Sequence, residues 1–434
     1  MLDLNNKKYL SYLLFIFPPA LISGPFLPDL VLTISSIYFL IFLMINKNLN
    51  YLNNDFFKMF FIFYIFIVIR SFFTDEVLFS LKNTLFYFRF IIFSYLLKFL
   101  IINEKNFLNL FTKSFLFTLV LISLDAIFEY LTGTHWLFDK SSYAEFIANN
   151  RISGLFDEEF ILGGFILSFF PIILLLQFNF IKFKKKNLKY LLSIFLIMLF
   201  LIVILISGER ASLVKLILVS TLVIFLTSII KTFKKKILFF FTLTLIIYAS
   251  ILSQPKIKDR MIYHSFNLIF GVSNEDKKIG KDLSITEYLK TKKLENIKVK
   301  YFSKEHQDHA KVSLKMFNDK KLFGHGVKMF RFKCAEKKYL LNERSCSTHS
   351  HGIALTFLAE IGLIGLSFLL IIYFFLIKNI LTINTNNEKI TLISIFVYLF
   401  PFLPMGYFFN NFFSMILYTL VGIYLGSKKI KKRI

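Results

Sequence analysis

Long apolar runs alternate with short polar connectors along nearly the whole chain. The run "YLLSIFLIMLFLIVILI" at 190–206 carries no charged residue and is about as long as a helix must be to cross a ~30 Å hydrocarbon layer. The repeated pattern predicts twelve spans, at about 9–24, 28–45, 56–69, 82–101, 107–131, 160–180, 188–206, 211–229, 237–253, 352–377, 389–405 and 407–426. The expected fold is therefore an all-α polytopic membrane protein. Span one follows Lys7 and Lys8, contains Pro18 and Pro19 and lacks a small-x-small cleavage site, so it is expected to be a retained helix rather than a signal peptide.

Charge adds orientation. A formal net charge of +25 over 434 residues would suit a nucleic-acid partner, but the lysines cluster in connectors between apolar runs, which argues against one. With the amino terminus inside, the inner connectors collect Lys47, Lys98, Lys105, "KFKKKNLK" (182–189), "KTFKKK" (231–236), Lys378 and the tail "KKIKKR" (428–433). The short outer connectors hold little beyond Arg70, Lys140, Arg151 and Arg210. Basic short loops stay cytoplasmic, so both termini are expected inside. Residues 254–350 then form one large periplasmic loop between spans nine and ten, long enough to escape that rule. The organisation reads as spans one to nine in 1–253, the loop in 254–350, and spans ten to twelve with a basic tail in 351–434.

Both cysteines, Cys334 and Cys346, fall in the outer loop. An oxidising compartment favours their pairing, and closing so short a ring contributes about 3 kcal/mol on the chain-entropy account; two free thiols are the plainer alternative. Where the loop returns to the membrane, "STHSHGIALTFLAEIGLIGL" (347–366) places His349 and His351 two apart. A neutral imidazole there could act as a general base, or simply be a polar residue at a helix start. His306 and His309 lie upstream, but no spacing fits a zinc pattern. No Gly-rich phosphate loop or nucleophile elbow occurs, and "GHG" (324–326) reads only as a turn.

Other charged residues have two readings each. Arg210, in "LISGERASL", offers a planar fork of donors suited to phosphate oxygens, or marks a helix end beside Glu209. Arg260, in "KIKDRM", could grip phosphate or, with Lys256 and Lys258, face lipid headgroups. Arg89 on span four and Asp125 and Glu129 on span five are expected at similar depth, either as an ion-paired brace or as the lining of a cavity.

Several stretches together resemble the O-antigen ligase and O-antigen polymerase superfamily: "DAIFEYLTG" (125–133), "RISGLFDEEFILGGFIL" (151–167), "SGERASL" (207–213), "KMFNDKKLFGHGVKMFRFKC" (315–334), "THSHGIALTFLAEIGLIGL" (348–366) and the end "FPFLPMGYFFNNFFSMILYTLVGIYLG" (400–426). The resemblance implies a GT-C-type glycosyltransferase of the bacterial inner membrane. It would be metal- and ATP-independent, use no cofactor, and take its glycan from an undecaprenyl-diphosphate donor. It implies diphosphate-binding roles for Arg210 and Arg260, and a catalytic role for His351, with His349 as the competing choice. Arg151, Arg89, Asp125, Glu129 and Glu360 are possible supports. The chain departs from the family pattern at Gly352, where asparagine is usual. The acceptor implied first is lipid A–core, as in an O-antigen ligase. A polymerase acting on growing glycan and a protein O-oligosaccharyltransferase share the donor. A transporter or flippase is the non-enzymatic alternative, set back by the lack of matching halves.

Overall fold

The computed structural model describes residues 4–134, 151–157, 159–180, 186–269 and 303–430, and all regular structure among them is helical. A helix occupies each of the twelve predicted segments. In chain order the main ones are α1 (Leu4–Ala20), α2 (Phe26–Ile45), α3 (Asp55–Ser71), α4 (Val77–Thr84), α5 (Phe88–Asn103), α6 (Phe107–Thr132), α7 (Leu162–Phe180) and α8 (Lys186–Ile206). They continue as α9 (Arg210–Leu226), α10 (Phe233–Ser253), α11 (Lys304–Asp319), α12 (Gly362–Thr382), α13 (Asn386–Tyr398) and α14 (Asn411–Ile430).

Among the described residues, six segments are long and apolar enough to cross a membrane: Phe26–Ile45, Val77–Asn103, Phe107–Thr132, Asn187–Ile206, Phe233–Ser253 and Ile353–Thr382. Two spans expected to be continuous are interrupted. The fourth breaks between α4 and α5. The tenth starts as Ile353–Thr356, widens into a π turn at Phe357–Ile361, and resumes as α12 after Gly362, whose φ is +70°. The eleventh stops at Tyr398, shortly before Pro401 and Pro404, because proline cannot continue the backbone ladder.

The bundle's tightest seam joins α5 to α14. A Cβ on Gly422 would lie 2.8 Å from the Leu97 Cβ, and one on Gly426 would lie 2.7 Å from the Ile101 Cδ1. This glycine pair, four residues apart, lets two helix backbones approach closely. The Ser94 hydroxyl donates across the seam to the Tyr418 carbonyl at 2.6 Å. Around it the core is aromatic, with Phe63 stacked on both Phe357 and Phe409. By contrast α10 buries only 11% of its apolar window and presents Phe233, Leu238, Phe241 and Leu245 outward.

Within the large loop, Pro255–Lys258 runs through a π turn at Asp259–Tyr263 into His264–Ile269. Polar α11 is capped by Ser303, whose side chain accepts from the His306 amide at 3.4 Å. It buries Val312 and Met316 against Phe330, Cys334, Tyr339 and Ala359. The loop therefore has its own small apolar core, seated on the break in the tenth span.

Candidate functional site

The turn between α8 and α9 is the hub on which the site is built. Gly208 takes φ +69°, which glycine adopts without steric cost. Ser207 carbonyl accepts from the Ile152 amide at 3.4 Å, and Gly208 carbonyl accepts from Arg260 Nε at 3.3 Å. Next to them, the Glu209 carboxylate accepts from Gly163 N (2.6 Å), Gly164 N (3.1 Å) and Ser212 Oγ (2.7 Å). A carboxylate at the amino end of α7 answers that helix's dipole and its unsatisfied amides. Gly163 makes the approach possible, since a Cβ there would lie 2.6 Å from Ser207 Oγ.

One turn thereby collects Arg151, Arg210 and Arg260. Burial, followed by repulsion from Arg210 and Arg151, brings Arg260 down to about 10. Burial also lowers Arg151, against the pull of Glu209. Arg151 lies 4.0 Å over the Phe160 ring, and its buried Nε has no hydrogen-bond partner among the described residues. Burial raises the Glu209 carboxyl, opposed by Ser212, the Gly163 amide and Arg151. Among the described residues, Glu209 and Asp259 are the carboxylates that act on this cluster. The half-buried surplus of guanidinium charge suits an anion with several oxygens, which forked donors can grip in pairs.

Four histidines meet beside the arginines. The His351 ring lies 4.0 Å from His349, 5.0 Å from His309 and 5.2 Å from His306, centroid to centroid. Desolvation, then the neighbouring imidazoles, pushes His351 down to about 3. Desolvation likewise holds His349 near 4 and lowers His306 and His309. All four are therefore neutral at pH 7, the form in which a general base must rest. The His306 ring also feels Arg210, which ties the histidine group to the arginine group. His351 has φ +54°, a sparsely populated conformation for a residue with a side chain. The Met405 amide holds it by donating to the His351 carbonyl at 3.1 Å. Among the described residues no group of three or more His, Cys, Asp or Glu side chains is arranged to hold a metal ion.

A clasp beneath fixes this geometry. Glu360, in the π turn, accepts from Tyr407 Oη at 2.5 Å, Lys328 N at 2.9 Å and Phe330 N at 3.1 Å. Tyr407 lies two residues beyond Met405, and its ring stands 6.0 Å from the His349 ring. "GHG" is more than the turn expected of it: His325 N and Gly326 N donate to the Ala359 and Glu360 carbonyls at 3.0 and 2.6 Å. A Cβ on Gly324 would meet the Glu360 backbone at 2.4 Å. Cys334 and Cys346 form a disulfide with Cα atoms 5.1 Å apart, just upstream of His349 and His351.

The intramembrane charges do not meet as expected from depth. Arg89 pairs with Asp29 at 2.6 Å, because α2 packs directly on α5. Asp125 and Glu129 instead back the segment that carries Arg151. Glu129 Oε2 accepts from Gly154 N at 2.8 Å, and a Cβ on Gly154 would stand 3.1 Å from Asp125 Oδ2. Lys140 lies outside the described residues. Sequence reasoning missed Glu209 as a helix anchor and the joining of His306 and His309 to His351. For the latter a signal existed: His306 and His309 share one face of a helix by their spacing of three.

No curated protein matches the chain. Residues 194–370 match the family model described as O-antigen ligase, a stretch that holds Arg210, Arg260, the four clustered histidines, Glu360 and both cysteines. Over those residues the chain is similar to the O-antigen ligase family, in agreement with the resemblance drawn from the motifs.

Proposed function

We propose that the chain transfers a glycan from an undecaprenyl-diphosphate carrier to lipid A–core at the periplasmic face of the bacterial inner membrane. The observation that supports this reading is the gathering of half-buried Arg210 and Arg260 at one turn, where Arg260 Nε donates to the Gly208 carbonyl, together with the packing of the His306, His309 and His349 rings around His351. In the proposed step, His351 takes the proton from an acceptor hydroxyl as its oxygen attacks the anomeric carbon. The bond from that carbon to the diphosphate oxygen breaks, and configuration inverts. Arg210 and Arg260 stabilise the negative charge gathering on the departing diphosphate, with the Arg151 Nε donor available to the same group. The diphosphate leaving group supplies the driving force, so the reading needs neither ATP nor a metal. It includes a GT-C-type arrangement of twelve spans, both termini cytoplasmic, and the 254–350 loop as a periplasmic lid.

A reconstituted assay tests it. Full-length protein is mixed with undecaprenyl-diphosphate glycan and lipid A–core, with a chelator present and ATP absent. Core–glycan product that disappears in Arg210→Ala and His351→Ala is expected. Glycan elongated on its carrier, with the core untouched, would instead make the protein a polymerase. Glycan moved across the membrane without any change of linkage would sink the transferase reading.

A further inference from the structure

At the far end of α9 from Arg210, about 25 Å away by helix rise, lies a polar cavity of about 350 Å³. Two connectors form it, the one between α9 and α10 and the one between α12 and α13. Lys231, Lys236, Lys389, Asn384, Asn386 and Ser228 line it, and no acidic residue does. Asn386 Oδ1 fixes its two walls by accepting from both Ser228 N and Ser228 Oγ at 3.0 Å. Lys236 is committed to the end of α9, where its Nζ donates to the Phe225 and Thr227 carbonyls at 2.9 Å each. Lys231 and Lys389 take no part in those bonds. The cavity also meets the amino end of α13, where Thr385 makes no capping bond to the helix. Its hydroxyl donates instead to Glu388, which lies outside the lining.

We infer that this cavity binds the phosphate headgroup of an anionic phospholipid. Two lysines, an amino-terminal helix end and side-chain amides are the donors a phosphodiester requires. The cavity's flanks are apolar and outward-facing: Ile229, Phe233 and Leu381 are more than half exposed, so acyl chains would lie against α10 and α12 while the headgroup enters between the connectors. That flank separates a lipid from free phosphate, which has no use for it. Basic pockets between helices at the cytoplasmic surface are a known means of selecting anionic lipid, and the proposed orientation puts this end there.

The test uses full-length protein in detergent, with native mass spectrometry reading binding of phosphatidylglycerol, phosphatidylcholine and inorganic phosphate. Phosphatidylglycerol is expected to bind in preference to the other two, and Lys231→Gln/Lys389→Gln to weaken it roughly tenfold. Lys234→Gln/Lys235→Gln removes the same charge from outside the lining and is expected to change binding by less than about twofold. Melting in phosphatidylcholine reports that each variant is folded. Equal weakening in both pairs would reduce the effect to general charge attraction and overturn the site. Inorganic phosphate binding as tightly as phosphatidylglycerol would overturn the lipid as its occupant.

Discussion

The α5–α14 seam and the arginine–histidine site are built on opposite terms. In the seam the contacts are complementary: glycine hydrogens face leucine and isoleucine carbons, and a serine hydroxyl meets a carbonyl. In the site, like charges are held together, imidazoles are kept from protonating, and His351 is held in a left-handed conformation. Nothing within the site gains from that arrangement. It persists because the clasp at Glu360 and the anchor at Glu209 tie its backbone to well-packed helices. The lesson is that stability and chemistry are separated in this fold. The seam holds the bundle, and the site keeps an imbalance of charge that the proposed diphosphate would answer.

The sharpest break of that comparison is Arg210→Ala. If Arg210 stabilises the departing group as proposed, its loss costs about 10²–10³-fold in turnover, while relief of repulsion with Arg151 and Arg260 leaves the melting temperature unchanged or higher. A folded variant that retained full transfer would end the assignment. Gly422→Val should do the reverse. Its side chain has no space against Leu97 and the Ser94 carbonyl, so overpacking costs about 1–3 kcal/mol, read as a lower melting temperature with little change in turnover of the folded fraction.

Acid should separate the two regions. The unfolded chain binds protons on histidine below about 6.5, whereas folded His349 and His351 hold off to about 4 and 3. Between those values the unfolded state carries more protons, so stability falls as pH drops from about 6.5 towards 3. The effect should be local, since no side chain of the α5–α14 seam titrates in that range. Hydrogen exchange at pH 7 and pH 4.5 should show α11 and residues 347–352 opening first, with α5 and α14 still protected. Seam and site opening together would contradict the separation.

How much of this was legible depended on whether a signal was local. Twelve helical segments followed from apolar runs, because a helix in lipid satisfies its backbone within its own residues. The breaks at 85–87 and Phe357–Ile361 did not, since their apolar residues look the same in a straight helix and a kinked one. Arg210 and His351 stood out because polar residues flanking long apolar runs are conspicuous. Glu209 did not, because its partners, Gly163 and Gly164, come from a helix 46 and 45 positions away. Matching depths suggested Arg89 with Asp125 and Glu129, but depth ignores which helices touch, and α2 brought Asp29 to Arg89 first. "GHG" was legible as a turn, while its docking on the π turn needed a contact between loop and membrane helix.

The smallest expected effect concerns the Cys334–Cys346 disulfide, and it asks how much of the site's strain the loop itself sustains. Cys334 is buried with Val312, Met316 and Phe330, so its end of the ring stays in place by packing even when reduced. Cys346 packs against the same cluster but is only partly buried, and it leads directly into the histidine segment. Reduction should therefore loosen residues 340–346, beyond buried Tyr339, without freeing 324–330, which Glu360 and its neighbouring carbonyls still hold. The entropy of the short ring sets the loss near 3 kcal/mol, spread over the loop rather than the bundle. Limited proteolysis after reduction should add cuts between Cys334 and Cys346, with turnover falling only a fewfold, because the Met405 amide and the Glu360–Tyr407 bond still position His351. If reduction left the cleavage pattern unchanged, packing alone would hold the loop. Complete loss of turnover would show instead that the disulfide, and not the clasp, keeps His351 in its left-handed conformation.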